Sequence, residues 1–437
     1  MPSRDLVARL GSATRAQGGG HRENTVNSSV LVLGAGMVGT CTALHLARRG
    51  HDVTLVDRRE PGRETSYGNA GVIQREAVEP YAFPRSIGKL LNAGLGRDSG
   101  ISYHWGALTR GASYLGRYWR NSAPDRYPRI AAAYARLIEH ALDEHQPLIE
   151  VSQGEDLMRR GGYLHVFRDE RSFAAAAENA ERVHREYGLT VTALDDSQAR
   201  TMEPALHARL AGALHWSDSW SVTDPGELVA RYARQFQQLG GTFVTGDAQT
   251  LRETGAGWKV VGSAGAVEAE NVVVALGPWA QQLVRPLGYR LPLFVKRGYH
   301  RHFQSPRFPR IPVFDADRGY VIAPMRQGIR ITTGAEFALL EAPPTPRQIA
   351  LVERFASELV ELGTPIEVEP WIGARPCTVD MLPVIGRASN HRNVWFNFGH
   401  GHQGFTLGPA SGRLLAEMID GVPAFVDPEP YSPARFC

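Results

Sequence analysis

Along the chain the first ordered pattern is a short continuous apolar run, Val30-Leu31-Val32-Leu33, as a parallel strand buried on both faces requires. The period then changes. Leu44, Leu46 and Ala47 fit a helix that closes at Arg48-Arg49-Gly50, with cations in its last turn and Gly just beyond. A second run, Val53-Thr54-Leu55-Val56, predicts another strand, ending at Asp57. Farther on, Asp224-Pro225-Gly226-Glu227 predicts a helix start, and Leu228, Tyr232 and Phe236 recur every four residues until Gly240-Gly241. Thr242-Phe243-Val244, a hairpin through Trp258-Lys259-Val260, and the buried run Val272-Val273-Val274-Ala275-Leu276 ending at Gly277-Pro278-Trp279 predict strands completing a sheet around the first unit.

Other stretches differ in character. Residues 86–204 carry helical patterns dense in Arg and aromatics, among them Tyr103, Trp105, Tyr114, Tyr118 and Trp119. Residues 286–337 read as antiparallel strands, and a helix is expected at about 346–362, capped by Thr345 with Pro346 next. A last helix is expected from Pro409 to Asp420, burying Leu414, Leu415 and Met418 and stopping at Gly421.

Composition narrows the function. The 437 residues allow two domains, and 48 Lys plus Arg against 45 Asp plus Glu leave a net charge of only +3. No polybasic field argues for nucleic acid or an anionic membrane, so the expected partner is a small molecule. Three distant cysteines, at 41, 377 and 437, form neither a disulfide framework nor a metal knuckle and fit a reducing compartment, read as cytoplasmic. Residues 1–28 are polar, with a Gly triplet and four Arg. They read as a disordered leader, with a transit peptide as the alternative, and no stretch has the length of a transmembrane segment.

The chemistry begins at Gly34-Ala35-Gly36-Met37-Val38-Gly39, between the first strand and helix. Gly34 permits the tight turn, Gly36 lets backbone approach a pyrophosphate, and Gly39 permits close helix–strand packing. Asp57 stands where a carboxylate accepts from ribose hydroxyls, which disfavours a 2′-phosphate although Arg58 and Arg59 follow. The fingerprint alone fits NAD or FAD. Residues 61–73, PGRETSYGNAGVI, favour FAD: Thr65, Ser66, Asn69, Ala70 and Gly71 offer small donors for a phosphate or a flavin edge where an NAD unit would continue into a helix. Near the C-terminus the loop Gly399-His400-Gly401-His402-Gln403-Gly404-Phe405-Thr406 feeds a helix and can present backbone N–H groups to an electron-rich ligand. Arg375 offers a bidentate fork for a carboxylate, and His400 and His402 lack a third ligand for a metal.

In VLVLGAGMVG with Asp57, ETSYGNAG, VVVALGPWA, GARPCTVDMLPVIG and GHGHQGFTLGPASG, occurring in order from about residue 29 to the end, the sequence resembles the FAD-dependent glycine and D-amino-acid oxidase superfamily. RGYH, VIAPM and FGHGHQG make it most similar to D-amino-acid dehydrogenase small subunits and glyphosate oxidoreductase, then glycine oxidase.

The resemblance implies an α/β fold in which a Rossmann-like FAD-binding domain (29–85, 205–285 and 371–425) interleaves with an antiparallel-sheet substrate domain (86–204 and 286–370), leaving 426–437 as a tail. It implies that Gly277 and Trp279 belong to the cofactor site, that Arg375 holds the substrate carboxylate, and that Tyr320 assists it. His402 stands where glycine oxidase can carry a second arginine. Cys377 is out of register with the flavin-linking cysteine of sarcosine oxidases, which implies non-covalent FAD.

The expected reaction is hydride transfer from Cα of a neutral amine to flavin N5, then hydrolysis of the imine, with oxygen or a quinone chain as electron acceptor. An N-substituted glycine, giving glyoxylate and a primary amine, is the first expectation, and the aromatics at 103–119 are expected to shape a pocket for its substituent. A D-amino acid, giving a 2-oxo acid and ammonia, is the alternative. An NAD-dependent dehydrogenase and a non-catalytic flavoprotein subunit are the readings from other classes.

Overall fold

A computed structural model describes residues 27–85 and 100–437. Most of the expected leader, residues 1–26, lies outside them. The first expected unit is present as strand Ser29–Leu33, helix Met37–Arg48 and strand Asp52–Asp57, which open an eight-stranded sheet. Five central strands run parallel in the order Thr242–Glu253, Asp52–Asp57, Ser29–Leu33, Asn271–Val274, Val394–Phe398. Antiparallel strands close both edges. Both faces of the central strand are covered, as its apolar run required: Val30 and Val32 join one core cluster, Leu31 and Leu33 the other.

An eleven-stranded mixed sheet forms the second layer system. Its long strand Leu293–Gln304 pairs with Trp371–Thr378 and with Gly328–Thr332, and helix Arg347–Leu359 covers one face. Two expected segment boundaries shift here. Strands Gly212–Trp216 and Trp371–Thr378, expected in the dinucleotide unit, belong to this second sheet. The reason is register: Trp371–Thr378 pairs along Leu293–His300 over eight residues.

Helix Asp224 caps as expected, its side chain accepting from the Glu227 N–H, whereas Thr345 caps nothing. The Thr345 hydroxyl instead donates to Glu336 and its N–H to the Tyr299 hydroxyl. The last helix runs Gly404–Asp420 and so begins earlier than Pro409. Proline there has no N–H, which leaves the Phe405 carbonyl free one turn back, and His145 Nε2 bonds it at 3.0 Å. The expected tail is packed: Tyr431 is fully buried and donates to the Ala133 carbonyl at 2.6 Å, and Arg435 pairs with Asp380 at 2.8 Å. Among the described residues no helix is long and apolar enough to cross a membrane.

Helices Met37–Arg48 and Gly404–Asp420 pack in parallel at close range. A Cβ on Gly408 would lie 2.5 Å from Met37 Cγ, and one on Gly412 2.9 Å from the Cys41 backbone. Arg49 and His51 hold Asp420 at 2.7 and 2.8 Å where both helices end. Both N-termini therefore open together, onto one large cavity.

Candidate active site

That cavity, about 540 Å³, runs from the first βα turn to the inner face of the second sheet. Gly34 makes the turn at φ +107°, where an added Cβ would sit 2.5 Å from the Ala275 carbonyl oxygen; on Gly39 it would sit 1.8 Å from the Gly34 oxygen. Neither position admits a side chain: bare Gly34 backbone borders the cavity, and Gly39 lets the helix pack against the turn behind it. The Met37 N–H donates to Ser66 Oγ at 2.9 Å, and the N-cap residue, Gly36, has no side chain of its own to cap the helix. Two helix starts side by side, neither capped by its own N-cap side chain, make this region electropositive.

At one end lie Asp57, Arg58 and Trp279. Asp57 accepts from the Ala35 N–H at 2.6 Å and the Arg59 N–H at 3.1 Å. Burial raises its pKa and those two N–H groups oppose the rise. Arg58 bonds Glu64 and lies 4.3 Å over the Trp279 ring. Gly246–Gln249, past the parallel part of their strand, complete this end. Sequence reading missed them because the point where a strand exchanges a parallel for an antiparallel partner carries no signature of its own.

At the other end Arg375 lies across Gly298 and donates to the Gly334 carbonyl at 2.7 Å and the Thr333 carbonyl at 3.2 Å. Burial lowers its pKa. Lys296, paired opposite it in the strand ladder, donates to the Tyr118 hydroxyl at 2.9 Å. Burial works against the Lys296 charge, Tyr118 and Cys377 work for it, and the net direction is upward. The His402 ring packs on Tyr81 at 4.6 Å, and burial with the charges of Arg375 and Lys296 pushes its pKa down to about 3, so the ring is neutral. His400, also held near 3 by burial, leaves Nε2 unpartnered, as Asn397 leaves Oδ1.

Of the sequence-predicted residues, Gly34, Gly36, Met37, Val38, Asp57, Arg58, Thr65, Ser66, Asn69, Ala70, Gly277, Trp279, Arg375, Gly399, His400, Gly401, His402, Gly404 and Phe405 line this one cavity. Gly39, Gly71, Gln403 and Thr406 stand behind the wall. There Gln403 Nε2 donates to Gln74 Oε1 at 2.7 Å, Thr406 Oγ1 accepts from the Gln74 N–H at 3.2 Å, and Gly71 packs on Val222.

Tyr320 also borders the cavity, but its hydroxyl does not reach Arg375. The ring belongs to the core beneath helix Arg347–Leu359, and the hydroxyl bonds Arg168 at 3.2 Å and Asp315. The expected assistance to Arg375 is therefore corrected: strand alternation sends Tyr320 and Ile322 to the helix side, with Met325 on the opposite face beside Gly71. Of the expected pocket aromatics, the Trp105 side chain lies outside the described residues, and among the other four only Tyr118 lines the cavity. Trp119 faces solvent beneath Arg85, and Tyr114 accepts from Arg285. Arg330 was not foreseen; it donates to the Tyr67 and Asn69 carbonyls at 2.8 and 2.6 Å and so anchors the 65–71 loop. An arginine inside the apolar run Gly328–Thr332 was the available signal.

The family model described as "FAD dependent oxidoreductase" (DAO) matches residues 29–418. The chain is 34% identical to the D-amino acid dehydrogenase of Dechloromonas aromatica, over 93% of this chain and all of that one. Among solved structures it resembles glycine oxidase from Geobacillus kaustophilus (TM-score 0.70, 22% identity, 93% and 98% of the two chains) and iminodiacetate oxidase from Chelativorans sp. BNC1 (0.66, 25%, 92% and 98%).

Proposed function

The chain belongs to the DAO family of FAD-dependent oxidoreductases, and from that premise we propose that it oxidises the Cα–N bond of a D-amino acid to an imine, which water converts to a 2-oxo acid and ammonia. As a family member it is an FAD-dependent amino-acid oxidoreductase. The observation that carries the proposal is Arg375, a guanidinium on the cavity wall with only backbone carbonyls for partners among the described residues.

The cavity fits FAD on its own chemistry. It offers bare backbone at the βα turn, two helix starts without N-cap side-chain bonds, an acceptor at Asp57, and unpartnered polar atoms at His400 and Asn397. When bound, the flavin supplies the electron-pair acceptor. The protein's part is to take the substrate carboxylate at Arg375, keep His402 neutral beside it, and exclude water with Tyr118, Phe337 and Tyr81. Cys377 is buried and bonds the Arg375 carbonyl, and the flavin is taken as non-covalent.

A second reading, oxidation of an N-substituted glycine to glyoxylate and a primary amine, is favoured by the likeness to iminodiacetate oxidase. The order differs from the sequence expectation because the relative at 34% identity is a D-amino acid dehydrogenase. Anaerobic bleaching of the flavin by a panel of D-amino acids, L-amino acids, sarcosine and N-carboxymethyl amines tests both. Bleaching by D-amino acids is expected; bleaching by secondary amines alone replaces the first reading with the second, and bleaching by none overturns both.

A further inference from the structure

The carboxylates of the cavity are confined to one end. Its lining carboxylates, Asp57, Glu64 and Asp247, all lie toward the end where Trp279 sits. The other end holds Arg375 and Lys296, and among the described residues no carboxylate pairs with either. The two are direct partners in the antiparallel ladder, so their side chains leave the sheet on the same face from Cβ atoms roughly 5 Å apart.

From there they diverge. Arg375 leans over Gly298 toward the Thr333 and Gly334 carbonyls. Lys296 enters an aromatic box, its Nζ 4.4 Å from the Tyr118 ring centre, 5.4 Å from Phe337 and 5.7 Å from Phe294, with the Tyr118 hydroxyl as its hydrogen-bond partner. An ammonium has three donors. Ring faces and one hydroxyl hold the charge in place without neutralising it. Two like charges on one cavity face cost free energy, and a ligand with one carboxylate answers only one of them.

We propose that Lys296 in its aromatic box is a second anion subsite, and that the substrates best matched to this enzyme carry a second carboxylate in addition to the α-carboxylate taken by Arg375. This rests on the reading of Arg375 as the α-carboxylate site. The second carboxylate can come from a D-amino-acid side chain or from the amine substituent of a glycine, and the two sources are separated by the choice of substrate.

The test uses the holoenzyme and two readouts. The first is kcat/KM for acid and amide pairs: D-aspartate with D-asparagine, D-glutamate with D-glutamine, and N-(carboxymethyl)glycine with its monoamide. The second, independent of turnover, is the Kd of succinate and glutarate against their monomethyl esters, read from the visible flavin spectrum. The acid is expected to win by about tenfold or more in at least one pair, mainly through KM, and the diacids to bind more tightly by a similar factor. Lys296→Met should abolish both ratios and Lys296→Arg should preserve them; Lys296→Gln serves if the Met variant does not fold.

Neutral members handled as well as acids by the wild type, or ratios that survive loss of the charge, would overturn the proposal. If no amine bleaches the flavin yet diacids bind in a Lys296-dependent way, the amino-acid reading fails and the subsite stands. If amino acids bleach it with no acid preference, the reverse holds.

Discussion

Gly298→Ala separates the position of Arg375 from its presence. A Cβ at residue 298 would lie 2.6 Å from Arg375 Nη2 and 2.8 Å from Nη1. Ordinary contact needs about 3.5–4.0 Å, so the guanidinium must retreat by roughly 1 Å. That shift is enough to break its bond to the Thr333 carbonyl, now 3.2 Å, and to stretch the one to Gly334, now 2.7 Å. The colliding atoms end a flexible side chain, and Gly298 has no positive φ. The fold should therefore barely register the change, and the smaller entropy of the unfolded chain returns about 0.4–1 kcal/mol. Function should register it. A hydrogen bond to a charged group contributes about 1.5–3 kcal/mol, and a misplacement of about 1 Å can cost on the order of 100-fold in rate. Stopped-flow anaerobic reduction with the best substrate of the panel should show kcat/KM down by about 10- to 150-fold, with Tm and flavin content measured on the same sample. A variant that keeps kcat/KM within about threefold of wild type would show that Arg375 does not set the substrate's position.

Other substitutions test other parts of the structure. Gly39→Ala puts a Cβ 1.8 Å from the Gly34 carbonyl, which is backbone and cannot swing away, so flavin content and Tm should fall together, by at least about 1–3 kcal/mol in stability; a stable yellow variant would contradict the packing described. Tyr320→Phe should cost about 1 kcal/mol by removing the hydroxyl that bonds Arg168 and Asp315, whose own ion pair remains, while KM stays within about twofold, and a large rise in KM would return Tyr320 to the substrate site. His165 sits among Tyr163, Phe314 and Trp216 with Nε2 unpartnered, and burial pushes its pKa from 6.5 to about 3. Its contribution is complete above pH 6.5 and is lost as pH falls toward 3, on the order of 2 kcal/mol by pH 5. His165→Phe should flatten the drop in urea midpoint between pH 7 and pH 5, and an unchanged drop would refute the assignment.

Legibility in the sequence followed the range of the interactions. The βαβ start could be read because strand, turn and helix are consecutive and the glycines answer to contacts within a few residues, such as Gly39 on Gly34. The loops around residues 65–70 and 399–405, which border the cavity, are likewise continuous in sequence. What escaped was set by register between distant strands. Nothing in WIGARPCT says that it pairs with Leu293–His300 rather than with the dinucleotide sheet, yet that pairing places Arg375 opposite Lys296. Tyr320 failed as an expectation because its facing depends on which side of the second sheet helix Arg347–Leu359 covers. Arg330 was visible as an arginine in an apolar strand, but its partners, the Tyr67 and Asn69 carbonyls, lie some 260 residues earlier.

Under the proposed function, the same pairing lets one cavity orient an asymmetric cofactor and a charged substrate together. The carboxylates Asp57 and Glu64 come from the end of the second parallel strand and the loop after it, while Arg375 and Lys296 come from two adjacent strands of the other sheet. Between them lie the paired starts of helices Met37–Arg48 and Gly404–Asp420, positive by their backbone alone. Hydroxyl-rich groups are favoured at the acidic end, phosphates at the helix starts, and carboxylates at the cationic end. A ligand inserted the other way would set phosphates against Asp57 and Glu64 and leave both cations unanswered. The order of charges along the cavity thus selects one orientation, and it does so only because the second sheet brings residues 296 and 375 to the same wall.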